Sequence, residues 1–345
     1  MTVSSHSETA GAAPGRAPIA RAPFRSRVVG YGSALPQRRV TNHELAETVD
    51  TSDEWIVQRS GIRERRIAAV GETTADLSIA AARHALERAG MTGADLDLLI
   101  VATVSPDQTI PSTAVRVQAA LEMNQGVAFD VKAACSGFVY GLSIADSMMK
   151  CGQARTAMVI GAETLSRLVD WTDRASCVLF GDGAGAMILR AEPDDGSAEQ
   201  PGLLSTHLHS DGRHQDKIRT DGGVSSTGTI GQIRLEGREV FLHAVINLSA
   251  AADEALAANG LSREDIDWLI PHQANRRIVE TVGQQLHIPA GKVVLTVDRH
   301  ANTSAASIPL AFDEAASDGR IKPGDLVMLA AMGGGFTWGS ALLRW

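Results

Sequence analysis

Part of this chain occurs twice, and that repetition limits what it can fold into. Residues 85–100 (ALERAGMTGADLDLLI) align without gaps with residues 255–270 (ALAANGLSREDIDWLI). Each reads as a helix ending near a glycine, a short loop, an Asp-x-Asp and the start of an apolar strand. A second echo pairs residues 185–190 (GAMILR) with 339–344 (GSALLR) at a different offset, so the copies are related with an insertion. Two copies are too few for a solenoid, whereas two similar α/β halves packed face to face satisfy the pattern. Between the echoes, residues 75–89 carry helix-spaced apolar residues, and 96–103, 156–161 and 187–189 read as buried strands. Ser26 to Gly32 reads as a strand followed by a glycine turn, and folded sequence starts near Arg25. The expected division is residues 25–195 and 196–345, meeting where Glu192-Pro193-Asp194-Asp195-Gly196 has the composition of a linker.

Composition narrows the partners. A net charge of −8, with no dense basic run and only 4% aromatics, argues against nucleic acid. The three cysteines, Cys135, Cys151 and Cys177, have neither disulfide-framework nor zinc spacing and point to a reducing compartment. No stretch approaches the roughly 18 uninterrupted apolar residues of a membrane span, so a membrane partner is not expected. Residues 1–24 are rich in Ser, Ala, Gly and Pro and lack the apolar core of a secretory signal; a disordered tail is the expectation, with an organelle transit peptide the other reading.

The residues that can carry chemistry lie just past strand ends. Residues 126–140 (GVAFDVKAACSGFVY) are an apolar run that stops at Cys135 and continues at helical spacing. A cysteine at such a corner sits at the positive end of a helix dipole, which favours the nucleophilic thiolate. Burial would make the same cysteine inert, and the segment alone leaves both readings open. Where the first half has Val101-Ala102-Thr103, the second has Pro271-His272-Gln273-Ala274-Asn275, placing an imidazole at a strand's carboxyl end. Past an expected strand at 293–297 comes residues 298–307 (DRHANTSAAS), with Asn302 close to a helix start. A nucleophile, a base and an amide can converge from two such halves. Gly333-Gly334-Gly335 allows close backbone approach, as an oxyanion hole needs, or is a simple turn. Residues 180–185 (FGDGAG) lack the Lys-Ser/Thr of a phosphate loop and read as a structural turn.

Taken together, the motifs at residues 51–56 (TSDEWI), 60–65 (SGIRER), 133–137 (AACSG), 180–185 (FGDGAG), 271–275 (PHQAN), 302–307 (NTSAAS) and 333–340 (GGGFTWGS) resemble β-ketoacyl-acyl-carrier-protein synthase III. That is the initiating condensing enzyme of type II fatty-acid synthesis. The resemblance runs from residue 25 to the end, and it implies a duplicated thiolase-like fold, layered α-β-α-β-α. It implies decarboxylative condensation of a short acyl-CoA primer with malonyl-acyl-carrier protein, in the cytoplasm, by a homodimer and without a cofactor or metal. Asn302 at the third catalytic position matches the initiating type, where relatives carry a second histidine, a second cysteine or a glutamate.

By the same resemblance Cys135 is the nucleophile, and His272 and Asn302 promote decarboxylation by donating hydrogen bonds to the thioester oxygen. The N–H groups of Cys135 and Gly334 form the oxyanion hole. Trp55, Arg59, Arg174 and Asn275 contact CoA, and Arg276 and Arg277 face the carrier protein, although Gln284 and Gln285 stand where some relatives have lysines. Ile110 matches the region that reaches the partner subunit's acyl pocket, where a bulky aromatic in some relatives restricts the primer. Ala301 stands where the family usually has glycine, so the backbone there must accept a Cβ. Because His272 must be neutral, loss of activity at low pH is expected. Three alternatives remain: a related condensing enzyme of specialised metabolism with a longer or branched primer, a papain-like hydrolase, and a non-catalytic acyl-CoA-binding protein. The papain-like reading lacks its cysteine context and leaves the duplication unexplained.

Overall fold

The computed structural model describes residues 24–345, so the expectation for the tail falls, but for Phe24, outside the described residues. In the first half the strands are β1 (Phe24–Ala34), β2 (Arg39–Thr41), β3 (Glu64–Arg66), β4 (Leu98–Ala102), β5 (Val127–Val131), β6 (Thr156–Thr164) and β7 (Asp182–Pro193). Its helices are α1 (Asn42–Ala46), α2 (Asp53–Ser60), α3 (Thr74–Ala89), α4 (Thr113–Ala120), α5 (Gly137–Lys150) and α6 (Arg174–Cys177). The remainder has β8 (Gly202–Ser210), β9 (Ile218–Thr220), β10 (Ile233–Leu235), β11 (Trp268–Pro271), β12 (Leu326–Gly333) and β13 (Thr337–Arg344). Between them lie α7 (Gly237–Ala258), α8 (Arg276–Gln285), α9 (Val297–His300) and α10 (Ser307–Ser317).

One sheet has the order β1-β7-β6-β4-β5 and the other β11-β12-β13-β8. Leu98 and Ile100 of β4 face inward onto α5 and α10, together with Ile270, Val327 and Leu329 of the second sheet. Leu99 and Val101 face outward onto α3 and α4. Met328 and Ala330 of β12 face α7 and α8 on the far side. The layers are therefore α-β-α-β-α, with α5 and α10 in the middle. Strands covered on both faces need continuous apolar runs, which is why β4 reads LLIVA.

The repeated segments do the same physical work in both halves. Asp95 accepts from the Thr92 N–H and hydroxyl, and Asp265 from those of Ser262, capping matching 3-10 turns. The second aspartates reach the next parallel strand: Asp97 accepts from Arg155 and Thr156 N–H at 2.8 and 3.1 Å, and Asp267 from Leu326 N–H at 2.9 Å. The Asp-x-Asp thus pins one strand's start to its neighbour's.

Three local expectations are corrected. The glycine turn after β1 is strand: a Cβ on Gly30 or Gly32 would meet the α3 backbone at Ala85 at 2.5 Å, so these glycines let helix and strand touch. Residues 182–185 are likewise strand, and a Cβ at Gly185 would stand 2.7 Å from the Pro309 Cβ on α10. The strand expected at 293–297 is one bridge, Leu269 to Val293, followed by α9. There the buried Gln273 side chain takes the ladder's place, accepting from Thr296 and Val297 N–H and donating to the Val294 carbonyl.

Candidate active site

Cys135 lies in a 3-10 turn, Ala134–Ser136, that leads into α5; Ser304–Ala306 forms the matching turn ahead of α10. The correspondence extends to the backbone, since Ala134 and Ser304 each have positive φ, 46° and 49°. Such angles are costly outside glycine and persist where the surroundings enforce them. The first turn offers a cysteine to the cavity. The second turns its Ala305 carbonyl onto β6, where a Cβ on Gly161 would stand 2.1 Å from that oxygen.

Cys135 forms part of the wall of a cavity of about 1080 Å³, with Lys132, Ser304, Gly334 and Leu168 among its other walls. Gly333 ends β12 directly over the nucleophile turn, and a Cβ there would be 2.5 Å from the Cys135 nitrogen. Burial pushes the Cys135 thiol up to about 12, and the neighbouring Ser304 side chain pulls the other way. The Cys135 side chain is part-buried; a helix N-terminus favours its anion, and removal from water opposes it.

His272 follows β11, its N–H donating to the Ala330 carbonyl of β12 at 2.8 Å. It is buried, which drives its pKa down to about 3, and its Nδ1 has no hydrogen-bond partner among the described residues. Burial thus favours the neutral ring and moves the expected low-pH loss to lower pH. Asn302 is also buried, its Oδ1 accepting from the Ser304 N–H at 2.9 Å, which leaves the amide nitrogen as its free donor. Neither His272 nor Asn302 contributes to the cavity wall. Cys135 and Asn302 are linked through Ser304, and Cys135 and His272 through β12.

The other expected residues form two groups. The guanidinium groups of Arg59 and Arg174 lie 4.3 and 4.8 Å from the centre of the Trp55 ring, making one cationic-aromatic cluster. Asn275 caps α8: its Oδ1 accepts from Arg277 N–H, and its Nδ2 donates to the Arg59 carbonyl, which ties the two groups together. Arg276 pairs with Glu280 and Arg277 lies over Phe241, both exposed at the positive end of α8. Ile110 is 83% exposed and does not line its own chain's cavity, whereas Gln108 and Thr109 do. No group of three or more His, Cys, Asp or Glu side chains among the described residues is placed to hold a metal ion.

Sequence reading missed two polar residues of this region, Ser304 on the cavity wall and the buried Glu163. The strand ending was set at Gly161, whereas β6 runs to Thr164 and carries Glu163 fully buried at its end. An acidic residue in an otherwise apolar strand was the available signal.

Two α/β halves around a shared central helix layer, with Cys135 on one turn and Asn302 just ahead of its counterpart, define the thiolase-like fold. Family models for 3-oxoacyl-[acyl-carrier-protein (ACP)] synthase III match residues 129–212, and its C-terminal part residues 256–345. A β-ketoacyl-[acyl-carrier-protein] synthase III of Paramagnetospirillum magneticum is 65% identical over 93% of this chain and 99% of its own. The crystal structure of 3-oxoacyl-[acyl-carrier-protein] synthase III from Aquifex aeolicus superposes with a TM-score of 0.87 at 45% identity, covering 93% of this chain and 100% of the other. The priming β-ketosynthase of the R1128 polyketide biosynthetic pathway also gives 0.87, at 34% identity over 95% of this chain and 98% of its own. The chain belongs to the β-ketoacyl-[acyl-carrier-protein] synthase III family.

Proposed function

We propose that the chain condenses an acyl-CoA primer with malonyl-acyl-carrier protein to give 3-oxoacyl-carrier protein, CO2 and CoA, initiating fatty-acid synthesis. The observation that carries this reading is the pairing of turns: Cys135 sits on the cavity wall from one half, and Ser304, whose N–H holds Asn302, sits on it from the other. Cys135 takes the acyl group. The side-chain-free Gly333 and Gly334 leave backbone N–H groups of Cys135 and Gly334 free to receive the oxyanion. In the second half-reaction the malonyl thioester loses CO2, which supplies the carbanion. Enolate charge on the thioester oxygen is met by neutral His272 and the Asn302 amide N–H, and the carbanion attacks the acyl group on Cys135.

CoA is held at the Trp55, Arg59 and Arg174 cluster, with Asn275 bracing Arg59. Carrier protein, an acidic partner, docks where Arg276 and Arg277 adjoin Phe241 and the exposed Leu242. The exposed Ile110 meets the second subunit of a homodimer, and the chain works in the cytoplasm. The domain division at residue 195 falls between β7 and β8 and goes with this reading. A longer or branched primer is the second reading, favoured by Ile110 and by the volume of the cavity whose wall includes Cys135.

Half-reactions test the assignment. Cys135→Ala should lose condensation, while His272→Ala and Asn302→Ala should still accept the acyl group but lose malonyl decarboxylation by about 10²-fold or more. Decarboxylation at the parental rate in either variant contradicts the division of roles.

A further inference from the structure

An oxyanion hole works when its donors are held in place before the charge develops. The two donors here, the N–H groups of Cys135 and Gly334, belong to different halves of the chain. Neither pairs with another backbone group among the described residues. Gly334 is the middle of three successive glycines, the run with the widest backbone freedom, so contacts outside the run must set its direction. At the far end of that loop Phe336 is fixed to Asp211, its N–H donating at 2.9 Å and its carbonyl accepting at 2.8 Å. The Gly334 end is held by side chains.

Thr337, the first residue of β13, reaches back over this loop. Its hydroxyl oxygen lies 3.2 Å from the Gly334 carbonyl, 3.0 Å from the Ala133 carbonyl and 2.7 Å from the Ser136 hydroxyl. Ser136, fully buried, donates to the Ala133 carbonyl at 2.7 Å. Ala133 precedes the nucleophile turn and Ser136 closes it. One pair of hydroxyls therefore spans both segments that supply the oxyanion donors. Its two protons have two arrangements, Thr337 to Ser136 to Ala133 or Ser136 to Thr337 to Gly334, and each joins the pair to one of the two segments.

We propose that Thr337 and Ser136 are positioning residues that set the Cys135 and Gly334 N–H groups at the spacing acyl transfer needs. This deepens the reading of Cys135 as the acylated residue and rests on it. The pair takes no part in bond making. It holds the two donors about 2.7–3.1 Å from the place where the acyl carbonyl oxygen gains charge.

Side-chain packing cannot do this work, because Gly334 has no side chain and that of Cys135 must stay free to react. Hydrogen bonds can, and precision matters: a misplacement of roughly 1 Å costs about 10²-fold in such sites. The decarboxylating pair is held by other contacts. Asn302 accepts from the Ser304 N–H, and His272 donates its N–H to the Ala330 carbonyl. Neither is bonded to Ser136 or Thr337 among the described residues. Loosening the hydroxyl pair should therefore slow acyl transfer and spare decarboxylation.

The test is single-turnover acylation by acetyl-CoA, read by intact mass over a range of acetyl-CoA concentrations, with malonyl-carrier protein decarboxylation measured separately. Thr337→Val removes the hydroxyl at nearly constant shape. Its limiting acylation rate should fall about 10- to 100-fold, with half-saturation and decarboxylation within about threefold of the parent. Ser136→Ala leaves Thr337 its two carbonyls and should lose about fivefold, and adding it to Thr337→Val should cost little more, since the pair acts as a unit. Thr337→Ser keeps the hydroxyl and should stay within about threefold of the parent. A parental limiting rate in folded Thr337→Val or Ser136→Ala overturns the proposal, as does a loss in Thr337→Ser equal to that in Thr337→Val. So does a parallel fall of acylation, decarboxylation and melting temperature, which is the signature of a structural role alone. Absence of acyl label on Cys135 in the parent overturns the underlying reading as well.

Discussion

Ala301 occupies a conformation that side chains seldom adopt, φ 57° and ψ −161°, and it is fully buried immediately before Asn302. Strain of this kind costs about 1–3 kcal/mol. Ala301→Gly removes it at the expense of one buried methyl and some chain entropy, so the usual penalty for Ala→Gly should be absent. Denaturant unfolding should place the variant within about 1 kcal/mol of the parent or above it. A loss of more than about 2 kcal/mol would show that the backbone is not strained there. His272 offers a second test at this scale. A group held near pKa 3 by burial is unprotonated in the native state well above that value. Malonyl decarboxylation should therefore show no acid limb between about pH 8 and 5 that His272 can account for. An inflection near 6.5 that moves when His272 is replaced would place the ring in water instead.

Between elements, glycines decide how closely layers approach, and they were the least legible part of the sequence. Gly30, Gly32, Gly183 and Gly185 all lie in strands, although glycine clusters ordinarily signal turns. Which glycine makes a turn and which admits a neighbour depends on contacts remote in sequence. Gly161→Ala drives a methyl into the Ala305 carbonyl at 2.1 Å and should cost about 2 kcal/mol or more while displacing the Ser304 turn. Gly90→Ala is the comparison: φ is 61° but nothing stands within 4 Å of its Cβ, so only backbone strain is added and decarboxylation should be untouched. Equal loss of decarboxylation in the two variants would show that the Gly161 contact does not position the site. The missing fifth strand of the second sheet was hidden for a related reason. Val293 to Val297 has strand composition, but the Gln273 side chain satisfies the backbone that a strand would otherwise pair.

For the whole molecule, the duplication was legible because the Asp-x-Asp has a backbone-pinning role that both halves keep. Departures from symmetry were legible where they put a polar side chain just past an expected strand, as at His272 and Asn302. The burial of Glu163 was not, because the groups it binds, from Thr103 to Ser105, follow a different strand. The burial that opposes ionisation of Cys135 was not either, since the corner geometry is local and that burial comes from both halves. The proposed function reduces to one claim: Cys135 accepts an acyl group that His272 and Asn302 then enable to be extended. Intact-mass and peptide mapping after incubation with a panel of acyl-CoAs, followed by malonyl-carrier protein, tests it most directly. The expected result is a single acyl group on Cys135 that disappears on addition of malonyl-carrier protein as 3-oxoacyl-carrier protein forms. Acylation at the exposed Cys151 in its place, or an acyl group on Cys135 that malonyl-carrier protein fails to discharge, would contradict it.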